Sequence, residues 1–152
     1  MSGVRRVLAI AAALAALAAA TACGGAGGVT RIRVEKAVVP TFSNLFVIEQ
    51  AQHGRRVSAG ALKTKAVCTR GDRSAADNGP GDDWSCNLAW IQNAAGVPGA
   101  AAYTLHVKPD GCYTADGDGP ADLNGSPTLT RLDGASVVNP LWAFDGCFDV
   151  SG

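Results

Sequence analysis

The stretch Tyr103-Thr104-Leu105-His106-Val107-Lys108-Pro109-Asp110-Gly111-Cys112-Tyr113-Thr114-Ala115 decides the fold class of this chain. Its first six residues alternate, with Tyr103, Leu105 and Val107 on one side and Thr104, His106 and Lys108 on the other. Alternation of that kind marks a strand in a sheet that has one buried and one wet face. Pro109-Asp110-Gly111 supplies a tight turn, because proline presets the first turn torsion and glycine accepts a left-handed one. Another short alternating run begins at once, so an antiparallel pair is expected.

Working outward, further strands are predicted at residues 85–91, 128–132 and 136–148, with Leu132-Asp133-Gly134-Ala135 as a second hairpin turn. Residues 71–83, rich in Gly, Asp and Ser, form a polar loop ahead of them. Upstream the period changes. Val34, Val38, Phe42, Leu45, Phe46 and Glu49 fall at helical spacing and predict a helix over residues 34–52, stopped by His53-Gly54. Pro40 implies that this helix is either kinked there or begins there. The alternation of Thr30, Ile32 and Val34 with Arg31, Arg33 and Glu35 leaves its first turn open between helix and strand. A short second helix is expected from Ser58, through Leu62 and Ala66, to near Cys68. Helices first and antiparallel strands afterwards make an α+β domain, the N-terminal helix lying on a sheet of four or five strands.

Composition narrows the function classes. The chain has 152 residues, 13 Lys+Arg, 13 Asp+Glu and a hydrophobic share of 47%, but 17 of the apolar residues lie within the first 22. The remaining 130 residues suit one globular domain and fit neither a membrane-spanning bundle, a coiled coil, a strongly basic nucleic-acid binder nor a charged disordered chain. Arg5 and Arg6 precede the apolar run of residues 7–20, which is short for a bilayer span and suited to an export signal.

That signal ends in Ala20-Thr21-Ala22-Cys23, followed by Gly24, Gly25, Ala26, Gly27 and Gly28. The string resembles the lipobox of bacterial lipoproteins, although the family pattern usually carries Leu where Ala20 stands. The resemblance implies cleavage before Cys23, a diacylglyceryl group on its sulfur and a membrane anchor on the extracytoplasmic face. Residues 1–22 are then the signal, 23–30 the lipidated Cys and a flexible tether, and 31–152 a single α+β domain.

Four cysteines remain, Cys68, Cys86, Cys112 and Cys147, an even number in a chain bound for an oxidising compartment. Two disulfides are expected, Cys68 with Cys86 across one polar loop and Cys112 with Cys147 tying an inner strand to the last one. Their spacing, with no CxxC pair, does not suit a zinc site, and no metal or cofactor is expected.

No catalytic motif is legible. His53 sits at the expected helix end and His106 on the wet side of its strand, neither within a motif, and no Ser lies in a Gly-x-Ser-x-Gly elbow. Asp116-Gly117-Asp118-Gly119-Pro120 starts like an EF-hand loop but has Pro120 where a third ligand is needed and no closing Glu. Trp90 shares a strand side with Cys86 and Leu88 and is expected in the core. Trp84, at a polar loop edge, and Trp142, after Asn139-Pro140, are the candidates for exposed binding residues.

The expected function is therefore a non-catalytic, membrane-tethered module that binds an envelope protein, peptide or glycan and no nucleic acid. The alternative is a small envelope hydrolase, for which two or more of Asp82, Asp83, Asp116 and Asp118 would have to meet in a cleft. Charge divides along the chain: nine basic and three acidic residues lie between Arg31 and Arg73, against two basic and ten acidic from Ser74 onward. Either the basic helical half faces the anionic membrane beside the tether, or the two charge sets pair across the domain.

Overall fold

The computed structural model describes residues 28–71, 77–92, 96–117 and 124–151. The export signal, Cys23 and the tether to Gly27 lie outside the described residues, as does Asp118. Helix α1 spans Arg31–Gln52, and Thr30 caps it, its hydroxyl accepting from the Arg33 N–H at 3.4 Å. The strand-like alternation at the start is thus overridden, and the helix runs on through Pro40, an exposed residue. Val34, Val38, Phe42 and Phe46, four residues apart, form its buried stripe.

Among the described residues seven strands follow: β1 (Lys65–Arg70), β2 (Gly81–Ile91), β3 (Pro98–Val107), β4 (Cys112–Asp116), β5 (Thr128–Thr130), β6 (Ser136–Val138) and β7 (Ala143–Cys147). Five make one antiparallel sheet in the order β1-β2-β3-β4-β7, and β5 and β6 form a separate hairpin. The fold is α+β, as the order of periodicities predicts. The turn at residues 108–111 has Gly111 at φ +83°, where a Cβ would also collide with the Phe148 carbonyl oxygen.

Three expectations are corrected. The second helix is only a 3-10 turn, Ala59–Leu62, ended by Lys63 in the left-handed region, and residues from Lys65 onward are strand β1. Pairing with β2 decides this, because Cys68 stands directly opposite Cys86. The run at 136–148 is two strands, divided where Asn139 turns the chain: its side chain accepts from the Leu141 N–H at 2.9 Å and donates to the Ser126 carbonyl at 2.9 Å. Order also begins before residue 31. Val29 is buried, Gly28 N–H donates to the Val150 carbonyl and Gly79 N–H to the Val29 carbonyl.

Both expected disulfides are present, Cys68–Cys86 between β1 and β2 and Cys112–Cys147 between β4 and β7. The first is fully buried under the helix; the second has Cys147 exposed. Disulfides point to an oxidising compartment. Among the described residues no helix is long and apolar enough to cross a membrane.

Candidate functional site

The site is built from the second half of α1 and the inner side of β2 and β3. Phe42 and Phe46 project from consecutive helical turns onto Trp90, with ring centroids 4.7 and 5.5 Å away, and Tyr103 stands edge-on to Phe42 at 6.2 Å. Trp90 can lie flat on β3 because its cross-strand neighbour is Gly99, where a Cβ would come within 2.6 Å of the indole nitrogen. These four aromatics wall one side of a cavity of about 250 Å³.

The opposite wall is polar. Gln50, Gln92, Asn124 and Asn139 line the cavity together with Glu49 and Arg55. Asn124 Nδ2 donates to the Ala102 carbonyl at 2.7 Å, and the Tyr103 hydroxyl donates to the Leu141 carbonyl at 2.7 Å. Burial raises the Tyr103 phenol well above its ordinary pKa, with the Asn124 side chain working against that shift, so it is held as a neutral donor. Glu49 faces His53 one turn on, at 3.1 Å.

Two atoms stand out. Trp90 Nε1 and Asn124 Oδ1 are buried and have no hydrogen-bond partner among the described residues. Trp90 is 8% exposed and Asn124 4%. Buried polar groups are almost always paired, and leaving one unpaired costs about 1–3 kcal/mol. Both residues line the cavity, one offering an unpaired donor and the other an unpaired acceptor beneath its surface.

Trp84 is not exposed, contrary to expectation. It is fully buried, and its Nε1 donates to the Gly79 carbonyl at 3.1 Å. Strand β2 starts at Gly81, ahead of the expected loop end, and a bulge between Gly81 and Trp84 turns the indole inward. Residues 78 and 79 close against it, with Asn78 bridged to Thr30. Trp142 is half-buried in the turn before β7, its carbonyl accepting from the Gly117 N–H, and it does not line the cavity.

The carboxylates of the hydrolase alternative lie elsewhere. Asp82 and Asp116 flank His106 on the open outer side of the sheet, at 3.3 and 3.9 Å, with all three side chains at least half exposed. Asp83 pairs with Arg70 at 2.9 Å. None of these side chains lines the cavity between α1, β2 and β3. No family model, no curated protein and no solved structure matches this chain.

Proposed function

We propose that the protein is a lipid-tethered, extracytoplasmic binding module and that the cavity between α1, β2 and β3 is its binding site. One observation carries this: a cavity lined by four aromatic and four amide side chains, two of which, Trp90 and Asn124, keep a buried polar atom without a partner among the described residues. At about 250 Å³ the cavity falls below the roughly 300–1,000 Å³ of sites for whole drug-sized ligands, and suits a single ring or terminal group of a larger envelope component. The layout supports presentation outward. The tether joins at Gly28, at the start of α1, while the cavity lies along its second half, toward the far end of a helix about 33 Å long.

The test uses the three indole N–H resonances of the protein. Muropeptides released from the cell wall and N-acetylglucosamine oligomers should move the Trp90 signal, assigned with Trp90→Phe, and leave that of Trp84 in place. An unmoved Trp90 signal with every probe overturns the assignment of the cavity. Membrane attachment is tested separately: Cys23→Ala should release the protein from membranes, and full retention of that variant would remove the lipid anchor.

A further inference from the structure

The cavity does not end at its aromatic wall. The cavity shares Gln92 with a neighbouring depression of about 320 Å³ and Trp90 with another of about 300 Å³, and those two share Ile91, so the three adjoin around the end of β2. Each contributes cations to it: Arg55 from the cavity, Arg56 from the first depression, Lys63 and Lys65 from the second. None of the four pairs with a carboxylate among the described residues. The one carboxylate lining the three spaces is Glu49, which faces His53.

Lys63 adds an independent indication. It is the one non-glycine residue at positive φ among the described residues, at φ 48°, ψ 39°, where it ends the 3-10 turn. Glycine is the usual occupant of such a position because it has no Cβ to strain. That position holds an exposed lysine at the edge of the second depression.

Resting on the cavity as the binding site, we infer that its ligand is an anionic glycan, with one sugar in the cavity and its acidic groups along Arg55, Arg56, Lys63 and Lys65. Amide side chains, each both donor and acceptor, line the polar wall and match hydroxyl groups, which also do both. An extended peptide finds no ladder on β1, because its outward N–H groups at Cys68 and Arg70 already donate to Glu35 and Asp77.

Two probes of equal length separate charge from sugar recognition: neutral chitotetraose and a hyaluronan tetrasaccharide, in which half the sugars are glucuronate. Hyaluronan should bind about tenfold tighter at low salt, with the advantage shrinking at physiological salt. Lys63→Gly and Arg56→Gln should each weaken hyaluronan about threefold and leave chitotetraose unchanged. Lys63→Gly should do so with an undiminished urea midpoint, since glycine relieves the backbone. Equal affinity for both probes would overturn the anionic preference and leave the cavity reading standing. Hyaluronan binding that leaves the Trp90 indole signal unmoved would overturn the placement of its sugar. Tetraglutamate matching hyaluronan in affinity and in the Trp90 shift would replace the glycan with an acidic peptide. If neither sugar moves that signal, both the cavity reading and this inference fail.

Discussion

At the scale of single residues, the two buried tryptophans of β2 make opposite uses of the same chemistry. Trp84 Nε1 is bonded to the Gly79 carbonyl, while Trp90 Nε1 is buried without a partner. Shortening either to phenylalanine removes ring atoms from packed surroundings, but the hydrogen-bond terms have opposite signs. At Trp84 a satisfied bond is lost and a carbonyl is stranded; at Trp90 an unpaid desolvation disappears. Trp84→Phe should therefore destabilise the ligand-free protein by about 1–2 kcal/mol more than Trp90→Phe, measured by urea unfolding. Equal losses would mean that Trp90 Nε1 is satisfied in solution. Trp90 alternates with Cys86 and Leu88 in the sequence, so its inward side was legible, whereas Trp84 read as the edge of a polar loop. Which of them found a partner was not, because Gly79 and Asn124 reach the site only through folded loops.

At the scale of elements, the two disulfides clamp the outermost strand pairs of the sheet. Each joins residues directly opposite one another, yet they lie in different environments. Cys68–Cys86 is sealed beneath α1, and the Cys68 N–H on the strand edge donates to Glu35 of that helix at 3.0 Å. Cys112–Cys147 is open to solvent through Cys147. Thiol–disulfide exchange requires a thiolate to reach sulfur, so access sets the order of reduction. Mild reductant with iodoacetamide and no denaturant should label Cys112 and Cys147 first, read by peptide mass spectrometry. Labelling of Cys68 and Cys86 before them would contradict the burial. For closed loops of 18 and 35 residues the chain-entropy model gives about 3 and 4 kcal/mol, so the open bridge contributes no less than the sealed one.

At the scale of the whole molecule, charge and burial set its response to surfaces and pH. Described basic residues lie at both ends of the helix. Arg33 donates to the carbonyls of Asp149 and Ser151, Arg31 lies 3.6 Å from Asp77 and Arg70 pairs with Asp83, whereas Arg55 and Arg56 follow the opposite end of the helix. Both tyrosines tie the sheet to other elements: Tyr113 bonds with Thr41 of α1, and Tyr103 with the turn before β7. Burial raises both phenols above their ordinary value of 10.0. In the unfolded chain they ionise near pH 10, so above that pH the unfolded state holds fewer protons than the folded one. Their contribution is complete below about pH 10 and is lost as pH rises further. Stability should fall above about pH 10, with tyrosinate absorbance appearing together with unfolding. Tyrosinate growing near pH 10 in a protein that remains folded would refute this.

The sequence by itself determined the α+β class, the main helix, the hairpin around Pro109-Asp110-Gly111 and both disulfide pairings, since each rests on local period, turn chemistry or the small number of cysteines. Only the tertiary structure decided that residues from Lys65 onward are a strand, that Trp84 is buried and that Trp90 walls a cavity. The reason is physical. Short segments such as Lys65–Arg70 carry too little pattern to separate helix from strand, and the partner across the sheet makes the choice. The candidate site joins Phe42 and Phe46 of the helix, Trp90 and Tyr103 of the sheet, and Asn124 and Asn139 of later loops. Nothing in the local sequence of any one of them encodes that meeting, because it depends on how the helix is laid across the sheet.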